Sequence, residues 1–557
     1  MWYCQYIFCI IAHFVAATKK IPCGQNLIVF IIDGYGKALL NQSDIGFRLL
    51  TQNGVYSDFL KPVYPTHNYP NWMSLVTGLY AENHGFGANY MWDRVKNRRF
   101  WKGETNRVGD SWWPDGVVPA WYTTGKSNVD VHCYWMPGCD LPYQDIIVQV
   151  PQERKYNASL PEQTDALMSY FPEIIERITK YQPYRQQFFL IRYAGVQAAL
   201  ETFGLRSDEL KQALINVDLS LLLLQQKLDA EKLFESTNLM VISTHGLYTV
   251  EQEEQFFIEE CLTDYSKIQK VVNHHAMMMI FTNPDEANEV FFELKLCDQW
   301  APMGDYDENE QPLVSVYQTT ELPDRFHWKN FQYMPEIVLI TRPGATVLTR
   351  ELPSLPPHDE QERDILLTGG WDNENLNMHG IFFARGPAFK EDYEASDINV
   401  VDIYQVMMNI FGIEPPHRHN GTWSNVEDFL SSGWETRSVP ENMRAFTVTS
   451  CQISLCNLPI IFHSFRSRLT SHLFPDFSKI HSELSQLIAG SMQCRDLWWF
   501  KGTLLRSLQN QQSDPPSSHN SYNICVGPLI TISGNLAQMA SYLLYNGICA
   551  EYEFYNL

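Results

Sequence analysis

Residues Leu27 to Ile32 read LIVFII, an apolar run without a polar break that stops at Asp33-Gly34. Successive side chains of a strand point to opposite faces, so a half-exposed strand alternates apolar and polar residues. A run apolar at every position must be covered on both faces, as a central strand of a layered sheet is. Leu239–Ile242, Met277–Phe281 and Ile337–Ile340 have the same character, and Phe188–Tyr193 is similar apart from Arg192. Between these runs lie helical patterns. One spans Thr164 to Tyr181, and another Ser207 to Leu228, with Ser207 as N-cap before Asp208 and Glu209. A third runs to Leu296 from an Asn283 cap with Pro284 at the first helical position, and a fourth spans Asp397 to Phe411. Strands alternating with helices predict a layered α/β domain.

Hydrophobic residues make up 45% of the 557, enough to build a large core, so wholesale disorder is excluded. The formal charge of −23 argues against nucleic acid held through bulk electrostatics. No run reaches the ~18 apolar residues of a membrane-spanning helix. Tyr6 to Ala17 is a shorter apolar run ending in small residues. It reads as a signal peptide, residues 1–17, rather than a buried strand, although no Lys or Arg precedes it. Cleavage there removes Cys4 and Cys9 and leaves an even set of cysteines without a CxxC pair. Disulfides of undetermined connectivity fit that set better than a zinc finger. Asn41, Asn157 and Asn420 open glycosylation sequons. The expected address is therefore extracellular, as a secreted protein. Gly304–Pro312, Leu352–Asp364 and Asn510–Asn520 have loop composition. Composition shifts after about Ser432, and residues 440–557 read as a second, smaller, cysteine-containing unit.

Functional residues of open α/β sheets gather at the carboxyl ends of strands. Asp33, directly after LIVFII, and His245, in Val241-Ile-Ser-Thr-His-Gly246, occupy two such ends. Taken singly, Asp-Gly is a common turn and a histidine often only a hydrogen-bonded core residue. The surrounding segments change that reading. The stretch KPVYPTHNYPNWMSLVTGLYAENHG, Lys61 to Gly85, resembles the active-site stretch of the ectonucleotide pyrophosphatase/phosphodiesterase family, within the alkaline-phosphatase superfamily. Further similar segments follow in order: Asn89-Tyr-Met-Trp-Asp93, Tyr134-Trp-Met-Pro-Gly-Cys139, Leu322-Pro-Asp-Arg-Phe326, Trp371-Asp-Asn373, Gly380 to Phe389, and Val401 to Trp423. The Asn-Tyr-Met-Trp-Asp and Pro-Gly-Cys segments look most like the choline-phosphodiesterase branch. The resemblance covers about residues 25–430 and implies an alkaline-phosphatase-like three-layer α/β/α sandwich. Residues 440–557 look faintly like the nuclease-like α+β domain of some members, without its metal-and-histidine signature.

The resemblance implies a two-zinc reaction in which a metal-bound Thr or Ser hydroxyl attacks a phosphodiester. Carried over residue by residue, the first-strand aspartate is Asp33. The nucleophile position is Asn68. The Asp and His of a family pair fall at Gln197 and Glu201. The Asp-His pair after the third strand has become Thr244-His245, and the last ligand histidine falls at Gly369. An asparagine that holds the phosphoryl oxygen is present as Asn89. Asp33 and His245 are thus the retained ligands. Zinc sites are usually built from at least three strong protein ligands, so the expectation is no zinc or one weakly bound zinc. An asparagine amide does not supply an attacking oxyanion, so the chain reads as a pseudoenzyme with a binding or partner role. The alternative is an active phosphodiesterase on nucleotide or choline diesters with a rearranged site, Thr66 replacing the nucleophile. Tyr69, Tyr90, Trp92 and Trp135, near Trp72 and Tyr134, are expected either to pack in the core or to hold a choline-type ligand by cation–π attraction. The other expected partners are a small phosphodiester and an active relative in a heteromer. His274-His275 and His417-Arg-His419 read as surface histidines.

Overall fold

The computed structural model describes residues 25–431, apart from 42–43, 102–111, 140–147, 149–159, 182–183, 298–311, 330, 358–365 and 397. The signal-peptide region, Asn157, the 304–311 loop and the C-terminal unit lie outside the described residues.

LIVFII forms most of β1, Asn26–Ile32, and every residue of that strand is buried. Leu27, Val29 and Ile31 enter one core cluster, while Ile28, Phe30 and Ile32 enter another. The alternation is one of destination rather than polarity, because both faces are covered. β1 lies in a seven-stranded sheet. Three strands join it in parallel: β5 (Asp130–Tyr134), β6 (Gln187–Tyr193) and β7 (Thr237–Ser243). Beyond β7 follow Gly380–Arg385, antiparallel to it, then β2 (Gly54–Leu60), and Tyr393–Glu394 at the edge. Helices Asn68–Thr77, Ala120–Lys126 and Ile403–Phe411 pack on one face. Helices Ile45–Gln52, Leu160–Tyr181, Gly195–Phe203 and Asp208–Ala230 cover the other. This is the three-layer α/β/α arrangement.

Met277–Thr282 and Ile337–Thr341 are fully buried strands but belong to a second sheet. They pair antiparallel with each other, flanked by Ile268–Asn273 and Val314–Gln318, and Ser354–Leu355 closes the edge in parallel. A short hairpin, β3 (Tyr90–Asp93) with β4 (Arg98–Trp101), packs near this sheet. Disulfides join Cys133 to Cys139 and Cys261 to Cys297.

Helix boundaries follow capping chemistry. Ser207 caps Asp208–Ala230 by accepting from the Leu210 N–H. Asn283 instead donates its amide to Glu286; a 3₁₀ turn, Pro284–Glu286, precedes the helix Ala287–Lys295. Near Asp397, a capping box between Asn399 and Asp402 fixes a 3₁₀ turn, and the α-helix starts at Ile403.

Candidate functional site

Asp33 leaves β1 with its N–H donating to the Tyr193 carbonyl at the end of β6, 3.0 Å away. The Asp33 residue is 2% exposed. Oδ1 accepts from Trp72 Nε1 at 3.0 Å. Oδ2 accepts from Arg192 Nε at 2.7 Å and lies 2.6 Å from Arg192 Nη2. The guanidinium also sits 3.9 Å from the Trp72 ring centroid, a cation–π contact. Both carboxylate oxygens are engaged, and a resident protein cation balances the charge. Arg192 does not stand out as functional from sequence alone. The available signal was a charge inside the run Phe188–Tyr193, which is otherwise apolar or aromatic.

The nucleophile position opens the helix Asn68–Thr77. Asn68 Nδ2 donates to Gln197 Oε1 at 2.7 Å, and Gln197 Nε2 returns a bond to Asn68 Oδ1 at 3.1 Å. Gln197 Nε2 also donates to Glu201 Oε1 at 2.6 Å, one helical turn on. An ionised carboxylate only accepts, so Glu201 fixes which end of the Gln197 amide faces it and thereby orients the Asn68 amide. Asn89 contributes a longer bond to Asn68 Oδ1, 3.4 Å, while its own oxygen accepts from the Tyr69 N–H at 3.1 Å. Asn68, Gln197 and Asn89 are buried and Glu201 is half-buried. Gly34, at φ +71°, makes this packing feasible: a Cβ there would come within 2.9 Å of Gln197 Cβ.

Thr244 and His245 follow β7 and are both buried. His245 Nδ1 lies 3.0 Å from the Gly246 carbonyl, and its own carbonyl accepts from Ser243 Oγ at 3.0 Å. At Gly369 a Cβ would meet the Thr66 carbonyl oxygen at 2.5 Å, so no side chain fits this backbone, least of all an imidazole. Thr66 is fully buried; its hydroxyl donates to the Trp371 carbonyl at 3.0 Å and accepts from the Gly370 N–H at 2.8 Å. It clips two chain segments together, and its proton is committed to a carbonyl rather than poised for a base.

The carried-over positions therefore converge at the carboxyl ends of β1, β6 and β7, although they are far apart in sequence. Among the described residues, no three or more His, Cys, Asp or Glu form a group able to hold a metal. The donor set does not fit a zinc pair: two of its members are amides, one is glycine, and Asp33 is engaged by a guanidinium.

The aromatic residues divide between two cores. Tyr69, Tyr90 and Trp92 pack with the cluster that holds Trp72, whereas Trp135 packs with the opposite one, beside Tyr170. They do not form a single cage. Trp92 also shares a cavity with Arg98, Arg99 and Lys270, a cationic neighbourhood that repels a quaternary ammonium. His274 is a correction to the surface reading: it is buried, its ring centroid lies 4.7 Å from that of His67 with the planes tilted by 37°, and its Nε2 is 3.2 Å from the Tyr90 carbonyl. His417 is exposed and His419 half-buried. Asn41 is exposed; Asn420 is half-buried, with its oxygen accepting from the Tyr80 N–H.

A family model, type I phosphodiesterase/nucleotide pyrophosphatase, matches residues 27–381. Human bis(5'-adenosyl)-triphosphatase ENPP4 is 27% identical over 428 residues, which are 75% of this chain and 84% of that protein. Human ectonucleotide pyrophosphatase/phosphodiesterase family member 5 is 26% identical over 415 residues, 74% of this chain and 79% of that one. Among solved structures, inactive murine ectonucleotide pyrophosphatase/phosphodiesterase 5 in complex with AMP matches at a TM-score of 0.61 and 26% identity. That match covers 73% of this chain and all of the other. The alkaline-phosphatase-like sandwich, the ordered motifs and the family match agree, and the chain belongs to the type I phosphodiesterase/nucleotide pyrophosphatase family.

Proposed function

We propose that this chain is a secreted, catalytically silent member of its family, acting by binding rather than by turnover. The observation that carries the reading is the Arg192–Asp33–Trp72 contact, with the Asn68–Gln197 amide pair beside it. The retained aspartate is bound by protein groups, and the nucleophile position carries an amide that cannot become an alkoxide. The clipped Thr66 hydroxyl argues against a rearranged nucleophile. The disulfides and ectoenzyme relatives support an extracellular address. The partner would be a protein, among them an active relative in a heteromer.

The murine relative's AMP marks the ligand class to test against this reading. Here the phosphate would meet the Glu201 carboxylate and two amides rather than zinc. Restoring the hydroxyl alone, Asn68→Thr, is expected to give no diesterase turnover with or without added zinc. Purified wild-type protein is expected to hold far less than one zinc per chain by elemental analysis. It is also expected to bind neither AMP nor phosphocholine at millimolar concentration by calorimetry. Stoichiometric zinc together with hydrolysis of p-nitrophenylphosphorylcholine by the wild type would sink the reading.

A further inference from the structure

A cavity of about 140 Å³ opens between the β3–β4 hairpin and the edge of the second sheet. Trp92 and Arg99 stand directly opposite each other across the hairpin. Lys270 enters from the strand Ile268–Asn273, where the register shifts by a bulge. Leu355, from the edge strand, and Pro357 complete an apolar wall. Arg98 lies at the same cavity and is balanced by Asp93, 2.8 Å away. Among the described residues, Lys270 has no such balance: no ion pair or hydrogen bond to its ammonium is found there, and its neighbour Arg99 carries the same sign. Burial, and then Arg99, hold its pKa below the ordinary lysine value. In a chain of net charge −23, this is a concentration of positive charge inside a concavity. The Trp92 indole N–H is already satisfied by Asn97 Oδ1 at 3.1 Å, so its ring serves as a wall rather than a donor.

We infer that this cavity is a binding site for a small oxyanion (phosphate, sulfate or carboxylate) joined to an apolar or aromatic group. The head would take hydrogen bonds from Lys270 and Arg99, and the apolar part would lie against Trp92, Leu355 and Pro357. The volume falls short of the roughly 300–1,000 Å³ of pockets for drug-sized ligands, which selects a ligand smaller than a nucleotide. The site is separate from the Asp33–Asn68 centre and does not depend on the activity or silence of that centre.

The test uses the full-length protein and phenyl phosphate. Thermal unfolding and calorimetry should show stabilisation that grows with ligand and weakens with added salt. Phenyl sulfate and benzoate distinguish the head groups, inorganic phosphate reports the head alone, and benzylamine is the cationic control. Lys270→Met is expected to raise the melting temperature without ligand and to weaken phenyl phosphate binding by roughly tenfold or more. Should that variant fail to fold, Arg99→Gln carries the same affinity test. No saturable response to any of the three aromatic anions in the wild type would overturn the inference. So would equal affinity in the wild type and these variants, or equal binding of benzylamine.

Discussion

Arg192→Met is expected to destabilise the protein by about 3–5 kcal/mol, because it strands the buried Asp33 carboxylate without its cation. Methionine keeps much of the volume, so the loss reports charge rather than a cavity. Asp33→Leu should cost a similar amount by stranding the guanidinium. The double variant should cost less than either single one, since a buried ion pair gains little over an apolar pair once both charges are gone. Denaturant unfolding of the four proteins closes the cycle. The same experiment weighs the metal question. If zinc rather than Arg192 carries the Asp33 charge, the wild type should lose stability in chelator, and Arg192→Met should be mild while zinc is present. Chelator-independent stability with strongly non-additive variants is the outcome expected from the geometry. Additive, small effects would remove Arg192 from its role as the balancing cation.

The sequence made the charge visible but not its partner. A charge inside Phe188–Tyr193 is anomalous by itself, yet nothing local says that it meets Asp33 from 159 positions away. The central sheet was legible because burial on both faces leaves an unbroken apolar run. That same signal does not state which sheet a strand joins, and Met277–Thr282 looks like β1 while sitting in an antiparallel sheet. Apolarity records burial; partner and direction come from distant segments. Asn68, Gln197 and Glu201, distant in sequence, are joined by mutual hydrogen bonds, a meeting that the motifs suggest only through the family resemblance. The burial of His274 is hidden in the sequence for a local reason. Two adjacent histidines before Ala276 look like an exposed turn, and that turn is covered by the β3–β4 hairpin through Tyr90.

Buried histidines should also make the protein acid-labile well above the carboxylate range. His84 is fully buried. Its Nδ1 accepts from the Phe86 N–H at 3.2 Å, so the neutral ring carries its proton on Nε2, which lies 3.1 Å from both the Pro70 carbonyl and Ser74 Oγ. A second proton on Nδ1 would point at the Phe86 N–H, itself a donor. Burial accordingly pushes its pKa down to about 3. Burial, and then the neighbouring His275, push His274 down to about 3 as well. In the unfolded chain both titrate near 6.5. Below that value the unfolded state takes up protons that the native state refuses, so stability falls as pH falls, over the window from about 6.5 to about 3. Each group contributes a slope of roughly 1.4 kcal/mol per pH unit, so the pair should cost about 4 kcal/mol between pH 7 and pH 5. His132, His379 and His419 are shifted down by burial too and steepen the fall. Replacing His274 with Gln removes one titrating group and should lessen the pH 7 to pH 5 loss by about 2 kcal/mol, whatever its effect at neutral pH. Denaturant unfolding at the two pH values measures this directly, and histidine ring resonances should show His84 and His274 still unprotonated at pH 5. Stability that stays level between pH 7 and pH 5 would mean that these rings find water or a counter-charge that their buried surroundings do not provide.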